Sequence, residues 1–323
     1  MIDAAIVGLG RWGRTLVRAV QGNSKRLRFT HAVSRNPPRH ADFTAPLGLQ
    51  VAASLDAVLA VPEIDAIVLA TPHSQHLGQV LAVAGAGKAV FCEKPLTLTK
   101  AEAIEAVAAC RKAGVVLGVG TDKRFFPAMD ELARIAASGE LGQLLHLEAH
   151  FSNEVAATMF SEWRDSLEES PAGGMTGTGI HVLDAMIRMA GPVARVRAQL
   201  LAHRPPPDPL DSLSAVLEFR SGISGTLAVV RSTPTFWRVH VFGRTASAEA
   251  LGRGELVVRR SGAEAERRHF DGGDSVRANL EAFADAVAGQ APYPIADSDI
   301  IAGVAAFEAI AKSAALRGEA IEA

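Results

Sequence analysis

A chain of 323 residues is longer than one ordinary core supports and suits two domains. Apolar residues make up 48% and charged ones 21%, and the formal net charge is −2, so the charge balance selects neither nucleic acid nor an anionic membrane as a partner. Two cysteines, Cys92 and Cys110, argue against a disulfide framework, and with no basic leader and no apolar run of about 20 residues the expected location is the cytoplasm.

The first 120 residues alternate between apolar runs and helical stretches. Residues 4–8 read as a strand and 12–21 as a helix; a strand at 28–34 and a short helix at 54–60 follow. Then come a strand (65–71), a helix closed by glycine (74–87), a strand (89–95), a helix (99–114) and a strand (115–120). Short apolar runs separated by helices predict a Rossmann-type, doubly wound parallel sheet. After Gly120 the pattern changes. A helix at 127–138 precedes a strand at 144–152, a glycine-rich stretch and a helix at 180–189. Strands at 195–203, 212–219, 224–230, 237–243, 246–251 and 255–260 alternate polar and apolar residues, which predicts an α+β domain with an open, mainly antiparallel sheet. "HRPPPDP" at 203–209 is a stiff loop, and helices at 276–288 and 297–317 close the chain. The expected division is 1–121 and 122–296.

Gly8, Gly10 and Gly13 have the spacing G-x-G-x-x-G. They follow a strand and open a helix, which is where a dinucleotide site needs them. Gly8 allows the tight turn, Gly10 lets a diphosphate approach the backbone, and Gly13 lets helix and strand pack. Arg11 and Trp12 lie inside this loop. The helix N-terminus supplies N–H groups and a partial positive charge.

At the end of the second strand, an NAD site usually carries an acid on the ribose. Here the chain reads Val33-Ser34-Arg35-Asn36. Ser34 can donate to a 2′-phosphate and Arg35 can pair with it, with Arg11 as a second guanidinium. Charge-assisted hydrogen bonds are worth about 1.5–3 kcal/mol each. One such bond favours NADP over NAD about tenfold or more. NADP is the expected cofactor, with NAD the alternative.

"ATPHSQH" at 70–76, "EKP" at 93–95 and "G-x-H-x-x-D" at 179–184, in order after the glycine fingerprint, resemble the Gfo/Idh/MocA family. The resemblance implies an NAD(P)-dependent oxidoreductase acting on sugars, cyclitols or related alcohols. It also implies a homodimer or homotetramer built through the open sheet, and a last helix, 297–317, that packs back on the first domain. Thr71, Pro72, His73 and His76 then belong to the cofactor site, and Glu93 and Pro95 shape the nicotinamide pocket.

Hydride transfer from an alcohol needs a base and a positive charge near the developing alkoxide. Lys94 stands at the carboxyl end of a parallel strand, where open α/β sheets bind ligands, and the resemblance has it hydrogen-bond the reacting hydroxyl. His181 is the base candidate, since imidazole titrates near 6.5. Asp184, three residues on, shares its helix face and can orient it. Lys123 and Arg124 are expected at the cofactor or substrate. Asn153 ends a strand near the cleft, and relatives place a tryptophan–arginine pair like Trp163-Arg164 near the nicotinamide. No residues show metal-ligand spacing.

The pattern departs from the family at one position. Inositol dehydrogenase-like members carry aspartate four residues before the histidine, where this chain has Gly177. Thr176, Thr178 or Asp184 substitutes for it, or the substrate needs less proton shuttling, or dehydrogenase chemistry is absent. Two alternatives stay open: a glycosidase that works through a retained NAD, and a non-catalytic dinucleotide sensor.

Overall fold

Runs of small and β-branched apolar residues form the strands of a six-stranded parallel sheet, wound with helices along the first third of the chain. The computed structural model describes residues 1–153, 162–164, 166–203, 208 and 210–323. In chain order come β1 (Ile2–Val7), α1 (Arg11–Val20), β2 (Leu27–Val33), α2 (Ala41–Thr44), β3 (Gln50–Ala52), α3 (Leu55–Leu59), β4 (Ala66–Leu69), α4 (His76–Gly85), β5 (Ala89–Cys92), α5 (Lys100–Ala113) and β6 (Leu117–Val119). The strand order is β3-β2-β1-β4-β5-β6, the order of a dinucleotide-binding sheet. Every residue of β4 and β5 is buried, as expected for strands covered on both faces.

The second half continues with α6 (Pro127–Ser138), β7 (Leu144–Asn153), α7 (Ile180–Ala190), β8 (Val193–Leu201), β9 (Ser212–Phe219), β10 (Ser224–Arg231), β11 (Phe236–Gly243), β12 (Ala246–Leu251), β13 (Glu255–Arg260) and β14 (Glu266–His269). Then follow α8 (Ser275–Val287), α9 (Asp297–Ala315) and β15 (Ile321–Glu322). Nine strands form one sheet in the order β14-β13-β12-β11-β7-β10-β9-β8-β15. All its pairs are antiparallel except β7 with β10. In β9, Leu213, Ala215, Leu217 and Phe219 point into the core while Ser214, Val216 and Glu218 are exposed. Leu132 and Ile135 of α6, Leu183 and Met186 of α7, and Phe307 and Ile310 of α9 belong to that core. Most of the Pro-rich stretch expected as a stiff loop lies outside the described residues. Among the described residues no helix is long and apolar enough to cross a membrane.

The chain divides into one unit of residues 1–97, 101–120 and 274–300 and another of 98–100, 121–273 and 301–323. This corrects the expected boundaries. The helix that completes the first unit is α8, whose Leu280, Phe283 and Ala284 join the core around Phe29 and Phe91. Phe283 meets Phe91 edge to face at 5.5 Å. Asn279 Nδ2 donates to the Val119 carbonyl (2.9 Å), and the Tyr293 hydroxyl accepts from Val119 N (3.2 Å), so both side chains satisfy the sheet's β6 edge. From Ile301 onward α9 groups with the second unit instead, because its stripe of Ala302, Ala306, Phe307, Ala309 and Ile310 lies in that unit's core.

Candidate functional site

In the first unit the site begins with three glycines. Gly8 has φ +98°, and a Cβ there would run into the Ala70 carbonyl at the end of β4. A Cβ on Gly13 would run into the Gly8 carbonyl. Both positions therefore require glycine, the first for its backbone and the second for close helix–strand contact. Gly10 differs: it N-caps α1 at φ −65° and ψ 179°, and a Cβ there would meet nothing within 4 Å. No side chain caps α1 and no acid sits in its first turn. The helix end thus keeps room and N–H groups for an anion, so a dinucleotide diphosphate fits this cradle. Trp12 packs partly buried against the first core.

Ser34 and Arg35 follow β2. The Ser34 hydroxyl accepts from Asn36 N (3.1 Å) and keeps its own proton to donate. Arg35 and Arg11 are exposed, and no ion pair or hydrogen bond among the described residues takes up either guanidinium. A 2′-phosphate would find two cations available.

The turns after β4 and β5 are joined by one ring. His76 is 0% exposed; its Nδ1 lies 3.0 Å from the Pro95 carbonyl and 3.2 Å from that of Leu96, and its Nε2 lies 3.1 Å from the Thr71 carbonyl. His76, expected at the cofactor, is thus buried between the turns after β4 and β5. Thr71 Oγ1 donates to Gln79 Oε1 (2.6 Å), and His73, also buried, meets His76 edge to face. Pro72 begins this turn. Glu93 is buried; its carboxylate accepts from Lys94 N (3.3 Å) and fills the space where a Cβ on Gly120 would go. Lys94 is half-buried just past β5, and the Lys94–Pro95 bond is cis. Cys92 is fully buried, which pushes its thiol well up and keeps it protonated.

In the second unit the segment after β6 forms a helical turn over Asp122–Phe125. Arg124 is 6% exposed, and its Nε donates to Asp184 Oδ2 at 2.8 Å. Arg124, expected at the cofactor or substrate, is buried in this pair, and Asp184, expected to orient His181, has its Oδ2 on the Arg124 guanidinium. The carboxylate beside His181 is Asp122, with Oδ1 3.7 Å from Nδ1. The other Asp122 oxygen accepts from Lys123 Nζ (2.8 Å), and that ammonium also lies over the Phe126 ring. The Phe151 ring meets His181 edge-on at 6.1 Å.

His181 opens α7 after a π-helical turn, Met175–Gly179. Thr178 is buried in that turn, and Thr176 Oγ1 is buried with no hydrogen-bond partner among the described residues. Gly177 is exposed, and a Cβ there would meet nothing within 4 Å, so packing does not demand glycine. A buried clamp fixes the approach to this turn: Asp211 accepts from Gly174 N (3.1 Å) and pairs with Arg231 (2.6 Å). Sequence reasoning missed Asp122, Asp211 and Arg231, because no spacing links them to residues 174–184. Asn153 ends β7 and its carbonyl accepts from Ser232 N (3.1 Å). Arg164 stacks its guanidinium 4.2 Å from the centre of the Trp163 ring. Among the described residues no three His, Cys, Asp or Glu side chains group as metal ligands would.

Family comparisons agree with this geometry. Residues 2–121 match the model described as "Oxidoreductase family, NAD-binding Rossmann fold", and residues 129–249 match the GFO/IDH/MocA C-terminal domain. A Bos taurus trans-1,2-dihydrobenzene-1,2-diol dehydrogenase is 29% identical over 203 residues, 61% of this chain and 59% of that protein. The chain spans 51% to 61% of the length of three curated relatives it matches. Among solved structures, levoglucosan dehydrogenase in complex with NADH and L-sorbose has a TM-score of 0.88 at 19% identity, covering 99% of this chain and 98% of that one. The aldose-aldose oxidoreductase of Caulobacter crescentus, complexed with glycerol, has a TM-score of 0.86 at 21% identity, covering 100% and 99%. With a glycine turn that only a close ligand or backbone explains, and both halves matched in order, this chain belongs to the GFO/IDH/MocA oxidoreductase family.

Proposed function

We propose that this chain is an NAD(P)-dependent dehydrogenase or reductase, NADP preferred, that moves hydride between the nicotinamide and a CH–OH carbon of a sugar, cyclitol or related cyclic alcohol. The observation that carries the reading is the cradle at Gly8, Gly10 and Gly13: two positions closed to any Cβ, and one left open at an uncapped helix N-terminus. The names of the bovine relative and of the levoglucosan and aldose neighbours support a cyclic, hydroxyl-rich substrate.

When bound, the nicotinamide supplies the two-electron acceptor or donor. The α1 N–H groups receive the diphosphate, and Ser34, Arg35 and Arg11 receive the 2′-phosphate. Thr71, Pro72, His73, Glu93 and Pro95 shape the cofactor side, with His76 holding their two turns together. In the oxidising direction the carbinol carbon gives up a hydride, its C–O bond becomes C=O, and the hydroxyl proton passes to His181. Lys94 donates to the reacting oxygen and stabilises the developing alkoxide. Lys123, Asn153, Trp163, Arg164 and Thr178 meet the substrate, while Asp184 fixes Arg124 behind them. A second copy of the chain is the expected partner on the open sheet face, and the cytoplasm the expected location.

Titration with NADPH and NADH, followed by turnover assays over sugars, inositols and cyclic dihydrodiols, tests this. Saturable binding with tighter NADPH, and turnover of at least one such alcohol, is the expected result; no saturable binding of either cofactor overturns it. Gly177 favours a second reading, a non-catalytic dinucleotide sensor, which firm NADPH binding without any turnover would select. Cofactor retained through purification, with glycoside cleavage and no net reduction, would select the glycosidase.

A further inference from the structure

The family pattern puts a carboxylate one helical turn before the histidine, and this chain has Gly177 there. On its own helix, Asp184 has its Oδ2 on Arg124 at 2.8 Å. The buried acid that faces the imidazole comes instead from the turn after β6. We propose that Asp122 is the positioning carboxylate of His181, a role that rests on the reading of His181 as the proton acceptor.

Three observations carry this. Asp122 Oδ1 lies 3.7 Å from His181 Nδ1, and the two side chains are only 4% and 6% exposed, so little solvent screens them. The two atoms do not hydrogen-bond at this distance, but the carboxylate's charge on the Nδ1 side of the ring favours a proton there and leaves the Nε2 lone pair to accept the substrate's hydroxyl proton. Lys123 Nζ, 2.8 Å from the other Asp122 oxygen, holds the carboxylate in place. Asp184 on its own helix is neutralised by Arg124, the β7 neighbour is the uncharged Phe151 ring, and the turn contributes Asp122 with Lys123. Asp122 thus selects the reactive tautomer and stabilises the imidazolium formed in the step, without touching substrate.

The test reads the ring directly, in protein without cofactor, so that it is independent of turnover. Side-chain ¹⁵N NMR titrations follow His181 in the wild-type chain, D122N and K123M, with H181Q assigning the signal. D122N is expected to lower the His181 midpoint by about one pH unit or more and to move the neutral ring away from the Nδ1–H tautomer; D122E restores both in part. K123M, which removes the cation competing for the carboxylate, is expected to raise the midpoint. A folded D122N with unchanged midpoint and tautomer overturns the proposal, and if D122N does not fold, an unchanged midpoint in K123M overturns it. Where the wild-type chain turns over an alcohol, D122N should also lower kcat tenfold or more and move the acidic limb of the kcat/KM profile downward, with NADPH affinity held. Absence of wild-type turnover would overturn the functional reading and leave the NMR result to decide the role of Asp122.

Discussion

Arg124 donates from Nε to Asp184 Oδ2 across 2.8 Å, and the two side chains are only 5% and 11% exposed. This pair joins the turn after β6 to α7. Removing one member of a buried pair leaves an uncompensated charge, at a cost of about 3–5 kcal/mol. Urea unfolding of R124M should show that loss, and the double variant R124M/D184L should recover most of it. Equal stability of R124M and wild type would show that the pair contributes nothing.

The glycine turn separates packing from binding. G13A forces a Cβ into the Gly8 carbonyl and should cost on the order of 1–3 kcal/mol of stability, with dinucleotide affinity lost. G10A meets no protein atom, so its unfolding midpoint should stay near the wild-type value while NADPH affinity falls tenfold or more. Calorimetric Kd values and denaturant curves for both variants check this.

The proposed preference for NADP assigns Arg35 to the 2′-phosphate. R35A should raise the Kd for NADPH about tenfold or more, the worth of one charge-assisted bond. Its Kd for NADH should change little. Titration by nucleotide fluorescence measures both.

Lys94 stands at the carboxyl end of β5, beside the Glu93 carboxylate. K94A should lower kcat by orders of magnitude while NADPH affinity stays within a few-fold, because the contact proposed for Lys94 is to the reacting oxygen. Stopped-flow and equilibrium binding on one preparation separate the two effects.

Stability should fall with acid through His240. Burial holds its imidazole at about 4, well below the usual 6.5, with Glu249 pulling the other way and Arg238 and Arg259 adding to the depression. Between those values the unfolded chain binds a proton that the folded chain refuses. The contribution is therefore fully present above pH 6.5 and is lost as pH falls toward about 4. At pH 5 the loss amounts to about 2 kcal/mol. Urea unfolding at pH 7 and pH 5 should show H240Q losing about that much less than wild type.

The parallel sheet was legible because buried strands such as β4 and β5 are uninterrupted apolar runs, and β9 because its alternation leaves one face apolar. Short elements escaped. β3 has three residues, and β14, "ERRH", has no apolar face to betray it. The glycine turn was readable because its chemistry is local in the chain. The 122–181 contact and the 124–184 ion pair were not, because each joins residues about sixty positions apart through a turn whose path depends on packing. The same holds for α8 and α9: each has an apolar stripe, and only the folded chain decides which core it completes.

One ring without exposed surface governs how the first unit can move. The imidazole of His76 lies within hydrogen-bond distance of carbonyls at 71, 95 and 96, and so bridges two rims of the sheet. Loosening either rim should be felt at the ammonium of residue 94, and a mutation scan for altered rates should find position 76 sensitive although its ring has no exposed surface.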